Sequence, residues 1–300
     1  MTVRNFKELE ERINSKKKHT VVVASAHEKS TLEAVIRANE EGRMDYLLTG
    51  DGKKILEIAD DLGKKINSDN IINTSSDEAS AKKAVEAIRN GEADFLQKGL
   101  LHTATILKSV VNKETGLGTG KLINHVSIFQ MPNYHKIFAI TDGGMVIDPD
   151  LMKKKGIIEN TVELFHKFGV EDPKVACMCA LEEVNPKMQE TLDARELREM
   201  NRRGEIKGCT VEGPISFDIA MTRHAASVKK FDSTVAGDTD IILAPGIAAG
   251  NMTIKSLYTL GNAIMAGVVI GAKCPIALTS RDSIPEGRYY SLLLCSSMVD

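Results

Sequence analysis

Short apolar runs recur along the chain, separated by longer stretches whose apolar residues repeat at helical spacing. Residues 20–26, 44–48, 71–73 and 93–96 predict four strands, and 79–88 a helix on the surface of their sheet. Ser30-Thr31-Leu32-Glu33 has the form of a capping box opening a helix that ends near Gly42. Strands alternating with helices imply βαβ units and a mainly parallel sheet. Residues 125–131 and 136–141 differ, being two runs close together around Pro132-Asn133-Tyr134, which predicts a hairpin-like excursion. The α/β rhythm then resumes, with strands expected at 174–181, 206–211 and 240–244. A boundary near Asp148-Pro149-Asp150 gives a first α/β domain of residues 1–147 joined by 281–300, and a second of 148–280.

Near the C-terminus, the apolar runs 267–272 and 275–278 end abruptly in Thr279-Ser280-Arg281-Asp282-Ser283. Polar residues there stand where a core element emerges, which is where open α/β sheets place ligands. An arginine at such a point suits phosphate, because its planar fork donates two hydrogen bonds at once. Taken alone, the segment reads as a turn capping a helix.

A second polar cluster, Lys98-Gly99-Leu100-Leu101-His102-Thr103, follows the strand ending at Leu96. Leu100, Leu101, Ala104, Leu107 and Val111 form a helical stripe, so a helix is expected to start near Gly99. Its first N–H groups and the Lys98 charge would make an anion site. Lys108, ten residues on and about 15 Å along a helix, would touch another part of a long polyanion. The bland reading is a lysine-flanked surface helix with His102 packed or solvated. Gly250 permits close approach of a ligand or backbone, and Asn251 is placed to cap the helix that follows or to reach a ligand. Pro214 is expected in a first helical turn, and Asp218 one turn further points into a cleft or solubilises the helix.

Residues 114–121 (ETGLGTGK) imitate a phosphate-binding loop but fail: Thr115 stands where a glycine is needed and Leu122 where a hydroxyl is needed. Motifs for zinc hydrolases, serine triads and a simple dinucleotide fold are also missing. The composition narrows the partners further. With 39 basic and 41 acidic residues, the balance gives no reason to invoke nucleic acid or a membrane surface. No run of about 18 apolar residues offers a membrane span, and no signal segment follows the charged start. Five cysteines without a CxxC pair point to reduced thiols in a cytosol, with Cys177 and Cys179 on a buried strand.

Taken together, these segments resemble the phosphate acetyl/butyryltransferase family, its butyryl branch most closely. The matching stretches are 98–104 with Lys108 (KGLLHTA…K), 112–120 (NKETGLGTG), 184–188 (VNPKM), 204–211 (GEIKGCTV), 212–218 (EGPISFD), 235–240 (VAGDTD), 249–251 (AGN) and 278–283 (LTSRDS). The resemblance implies the reaction acyl-CoA plus phosphate giving acyl phosphate plus CoA. It also implies a two-domain, three-layer α/β/α fold like that of isocitrate/isopropylmalate dehydrogenases, with the site in the interdomain cleft. Homo-oligomers in the cytoplasm, no metal and no tightly bound cofactor follow, with coenzyme A and phosphate as substrates. By the resemblance Ser280 contacts the CoA sulfur, Arg281 binds phosphate, Lys108 serves CoA and Gly250 and Asn251 belong to a ligand-facing loop that serves CoA; beside these, Lys98 and Thr103 are expected to assist with phosphate and His102 with CoA.

One departure matters. The acetyl branch has an aspartate seven residues after the serine, proposed as a base for the CoA thiol; here that position is Gly287, with Asp282 and Glu286 nearby as possible bases. Two other readings compete. A nicotinamide-dependent hydroxy-acid dehydrogenase on a related fold would need a metal held by clustered carboxylates such as Asp218, Asp238 and Asp240. A non-catalytic acyl-CoA sensor would be supported by Gly287 alone. The acyl chain stays open, since acetyl and butyryl differ by two methylenes, about 1.6 kcal/mol of burial.

Overall fold

The structure is a computed structural model that describes residues 2–13, 18–280 and 283–299. In chain order the elements begin with α1 (Phe6–Ile13), β1 (His19–Ala24), α2 (Lys29–Glu40), β2 (Met44–Gly50), α3 (Gly52–Asp61), β3 (Ile71–Asn73), α4 (Asp77–Arg89), β4 (Phe95–Lys98) and α5 (Thr103–Val110). The middle of the chain supplies β5 (Asn124–Gln130), β6 (Phe138–Thr141), α6 (Leu151–Lys167), β7 (Lys174–Met178), α7 (Gln189–Arg202), β8 (Thr210–Ile215), α8 (Phe217–Met221) and α9 (Arg223–Val228). The last part holds β9 (Ile241–Leu243), α10 (Ile247–Leu260), β10 (Ile264–Ile270), β11 (Ile276–Ala277) and α11 (Pro285–Met298).

Two units emerge. The first contains Lys7–Lys121 and the chain from Ala266 onward; the second contains the residues up to Phe6 and Leu122–Met265. In the first, strands run in the order β3-β2-β1-β4-β11-β10, parallel except for the antiparallel β10–β11 pair. Val21, Val22, Val23 and Ala24 of β1 are wholly buried, as expected for a strand covered on both faces. Helix α4 turns Ser80, Ala81, Ala84 and Val85 inward at helical spacing. In the second unit the order is β5-β6-β9-β7-β8, parallel except for the β5–β6 hairpin that the sequence anticipated.

Besides the crossing at 6/7, the chain passes between units at 121/122 and 265/266, whereas the sequence placed the crossings near 147 and 280. The hairpin explains the first shift: β6 pairs with β9, so residues 124–141 are hydrogen-bonded into the second sheet. The second follows from β11 pairing with β4, which returns the chain to the first sheet before Ser280.

Three local expectations also change. Helix α2 is capped by Glu28, whose carboxylate accepts from the N–H groups of Ser30 and Thr31, rather than by a box starting at Ser30. Pro214 lies inside β8, not in a helical turn; β8 is the edge strand of its unit, where a missing donor is tolerated. Lys98 and Gly99 do not open a helix: Lys98 ends β4, and α5 begins at Thr103.

Candidate functional site

The register of the first sheet sets its carboxyl edge. Ala24 of β1 is opposite Lys98 of β4, while Leu96 and Gln97 of β4 are opposite Ile276 and Ala277 of β11. Because these three strands are parallel, Ser25, Gly99 and the Thr279-Ser280 segment all leave the sheet at that edge. Two motifs far apart in sequence are thus brought side by side, as ligand sites at the ends of α/β strands require.

The edge is tightly packed. Ser25 has φ +53, unusual for a residue with a side chain. Its N–H donates to Ser80 Oγ, its hydroxyl to Asp77 and its carbonyl accepts from Leu100, which together hold that conformation. Gly99 fits beneath it only because it lacks a side chain: a Cβ would meet Ser25 O at 2.2 Å and Ala24 O at 2.6 Å. Lys98 is 4% exposed, and its ammonium donates to Gly99 O at 3.0 Å.

His102 is exposed and takes the N-cap position of α5 without a side-chain cap hydrogen bond, leaving Thr103 as the first helical residue. Lys98, which lies in the strand, therefore shares no helical face with His102. Lys108, in the last turn of α5, is exposed and lines a groove of about 980 Å³ between α4 and α5, with Lys82, Arg89, Asn90, Thr105 and Asn112.

Thr279 is buried and Ser280 half-buried, and Ser283 N–H donates to Ser280 O at 3.2 Å. Arg281 and Asp282 lie outside the described residues. Glu286, in the first turn of α11, is engaged by Arg37 Nη1 at 3.3 Å. Gly287 is buried within α11, its carbonyl accepting from Ser291 Oγ. One residue on, Arg288 is 3% exposed and reaches Thr31, Thr279 and Ser280. Its part was not anticipated from the sequence; an arginine spaced among the apolar residues of a buried helix was the available signal.

In the second unit, Asp142 is 2% exposed and its carboxylate accepts three backbone N–H bonds, from His125 at 2.8 Å, Gly144 at 2.6 Å and Met145 at 2.8 Å. Helix α10 packs on this turn. A Cβ at Gly250 would meet Asp142 O at 2.7 Å, and Asn251 Nδ2 donates to Gly143 O at 2.9 Å. Gly250 and Asn251 are thus in the first turns of α10, not in a loop ahead of it, and both serve its close packing.

The carboxylates that a metal-dependent dehydrogenase would need are paired otherwise. Asp218 faces Lys229 at 2.9 Å and accepts from Ser216, a surface ion pair. Asp238 is held by Lys174, Lys136 and His135, and Asp240 by Lys136 at 2.6 Å. Burial pushes the Asp238 carboxyl up, but the hydrogen bonds from Lys174, His135 and Lys136 outweigh it and hold the group well below the usual range. This cluster lies at the amino ends of β7 and β9, opposite the edge where ligands bind in parallel sheets. Among the described residues no group of three His, Cys, Asp or Glu is arranged to hold a metal ion, and no helix is long and apolar enough to cross a membrane.

Comparison with known proteins adds an independent line. The family model described as "Phosphate acetyl/butaryl transferase" matches residues 78–286. A phosphate butyryltransferase from Clostridium acetobutylicum is 40% identical over 294 residues, covering 98% of this chain and 98% of its own. A solved branched-chain phosphotransacylase from Enterococcus faecalis V583 superposes with a TM-score of 0.80 at 30% identity, covering 93% of this chain and 98% of its own. A 4-hydroxythreonine-4-phosphate dehydrogenase from Burkholderia phymatum, with a TM-score of 0.54 and 15% identity, covers 95% of this chain and 99% of its own and is similar in fold alone.

Proposed function

The chain belongs to the phosphate acetyl/butyryl transferase family, and we propose that it moves a short acyl group, butyryl or similar, between coenzyme A and inorganic phosphate. The observation that carries this reading is the parallel register of β4 on β11, which puts the Lys98–Thr103 and Thr279–Ser280 segments on one sheet edge. Those are the segments in which the family match concentrates cationic and hydroxyl groups.

In the forward direction a phosphate oxygen attacks the thioester carbonyl carbon. A C–O bond forms, the carbonyl becomes an oxyanion, and collapse breaks the C–S bond to release CoA thiolate. A thiol with a pKa of about 8.5 leaves readily, so this direction requires no base at Gly287. The protein's task is to hold two anions together and to stabilise the oxyanion. In this reading Arg281 binds phosphate with help from Lys98 and Thr103, and the Ser280 hydroxyl donates to the oxyanion or the sulfur. Lys108 and His102 serve the CoA nucleotide, for which the α4–α5 groove offers room, its cations Lys82, Arg89 and Lys108 standing among the carboxylates Glu78, Glu86 and Glu114. Gly250 and Asn251 contribute by seating the start of α10. Glu286 and Asp282 remain the bases for the reverse direction, Glu286 within reach of Arg37. The reading extends to a cytoplasmic homo-oligomer without a tightly bound cofactor, supported by the resemblance and by five free cysteines.

The test is release of CoA thiol from acetyl-, butyryl- and hexanoyl-CoA with and without phosphate. Release that requires phosphate, is highest with butyryl-CoA and is unchanged by EDTA is expected. Release without phosphate, or reduction of a nicotinamide by a hydroxy acid, would overturn the assignment.

A further inference from the structure

The neighbourhood of Ser280 contains a buried cation to which no role has been assigned. Arg288 Nη1 donates to Thr31 Oγ1 and to Thr279 Oγ1, each at 3.3 Å, and Nη2 donates to Ser280 O at 3.4 Å. The same Nη2 lies 3.6 Å from Glu28 Oε2. Glu28 is in turn fixed as the cap of α2, accepting from Ser30 and Thr31 through both backbone and hydroxyl groups. One guanidinium therefore ties three parts of the first unit together: the start of α2, the start of α11 and the segment leaving β11.

Burying such a cation is costly, and a buried ion pair is often no more stabilising than apolar residues of the same volume. What the fork supplies is geometry: several donors in one plane fix their acceptors relative to each other. Here two of those acceptors are consecutive residues, the Thr279 hydroxyl and the Ser280 carbonyl. The Ser283 N–H donates to the same carbonyl. With its carbonyl doubly held, Ser280 cannot rotate its peptide plane freely, which restrains the backbone from which its half-buried side chain projects.

We propose that Arg288 is a positioning residue for acyl transfer: anchored by Glu28 and Thr31, it fixes Thr279 and Ser280 so that the Ser280 hydroxyl meets the reacting thioester. This rests on the reading of Ser280 given under the proposed function. Lysine is no substitute, because an ammonium cannot reach Thr279 Oγ1, Ser280 O and Glu28 in one plane.

Three variants test it: Arg288→Gln, Arg288→Lys and Thr279→Val. The last removes one acceptor of the fork at nearly unchanged side-chain volume while Arg288 keeps Thr31, Ser280 O and Glu28, and it serves if the arginine variants do not fold. Steady-state kinetics with butyryl-CoA and phosphate would be combined with hydrogen exchange of the peptide spanning 278–284 in the substrate-free protein. Arg288→Gln is expected to lower kcat about ten- to hundredfold with the butyryl-CoA KM within about threefold, since displacement of a reacting group costs rate more than binding. Arg288→Lys should recover little of that loss, and Thr279→Val should lower kcat about three- to tenfold. Exchange around Ser280 should accelerate in all three while that of the β1 and β4 peptides stays as in the wild type. Folded variants with wild-type kcat, or with unchanged exchange at 278–284, would overturn the proposal, as would equal loss of protection throughout the first unit. If the wild type releases no CoA with phosphate, the functional reading fails separately, and the exchange data alone decide whether Arg288 fixes Ser280.

Discussion

Under the proposed reading, an arginine at 281 would offer phosphate two parallel charge-assisted donors, which is more than a point charge can do. Arg281→Ala should raise the phosphate KM roughly ten- to a hundredfold and the acyl-CoA KM far less, as expected for loss of about 1.5–3 kcal/mol of hydrogen bonding to a charge. Arg281→Lys should recover little. Initial rates over a phosphate series check this, and unchanged phosphate dependence would move the anion to Lys98. Ser280→Ala should instead depress kcat with both Michaelis constants nearly kept, the pattern of a group acting in the transition state. Lys108 is exposed in the last turn of α5, so its contribution is electrostatic and screened. Lys108→Ala should raise the CoA KM about three- to tenfold at low salt, and the difference from wild type should shrink towards 0.5 M salt, above which the Debye length falls to roughly 4 Å. A CoA KM unaffected at low salt would remove Lys108 from the site.

At the scale of elements, two junctions hold the first unit together. One is where the chain leaves the adjacent strands β1 and β4, with Gly99 against Ser25 O and Ala24 O. Both obstacles are backbone atoms in a hydrogen-bonded sheet and cannot swing aside as a side chain would. Gly99→Ala should destabilise the protein by about 2–3 kcal/mol or more, visible as a lower urea midpoint, and should impair turnover even where it folds. The other junction is α2 against α11. Tyr289 Oη donates to Glu41 at 2.5 Å, Arg43 Nε and Arg37 Nε donate at 2.6 and 2.9 Å, and the Arg37 guanidinium lies 3.9 Å from the Tyr289 ring centroid. Burial raises the Glu41 carboxyl, but these donors outweigh it and bring it down to about 2, from an unperturbed 4.5. A carboxyl depressed on folding contributes its stability in full above the unfolded value. That contribution is lost as pH falls from about 4.5 towards 2, where the unfolded chain binds a proton that the folded one refuses. With a third of the side chain exposed, about 1–2 kcal/mol remains after allowance for solvent screening. Glu41→Gln should therefore lower the urea midpoint at about pH 6.5, and the gap from wild type should narrow at about pH 3. A gap independent of pH would mean that packing, not charge, holds the junction.

At the scale of the whole molecule the chain is interleaved between two units, leaving the first after Lys121 and re-entering it at Ala266. All five cysteines are buried and unpaired within this arrangement. Burial pushes the Cys179, Cys209 and Cys274 thiols up to about 12, and those of Cys177 and Cys295 upward as well. A thiolate is the reactive form, so a disulfide reagent at about pH 8 should modify the native protein at least ~100-fold more slowly than the unfolded one, with five thiols titrating in urea. A rapidly reacting thiol in the native state would show that one of these strands opens readily.

The amino-acid sequence by itself determined the alternation of strands and helices, the β5–β6 hairpin and the family, because burial on both faces writes continuous apolar runs and a packed helix writes a 3.6-residue period. Those signals are local, carried by each residue's own side chain. The motifs around Lys98 and Ser280 were legible in the same way, as polar breaks after apolar runs. Their proximity was not: it comes from β11 pairing with β4, a partnership between residues about 180 positions apart in number that no period encodes. The unit boundaries moved for the same reason, since strand pairing and not composition decides which sheet a segment joins. Tertiary structure alone revealed why Ser25 tolerates a left-handed backbone, why Gly250 must lack a side chain, and why Arg288 is buried. Each answer depends on an atom delivered by another part of the chain, as with Arg288 and Thr31, which are 257 residues apart. A sequence pattern records that a side chain is buried; only the folded chain supplies the partner that meets it there.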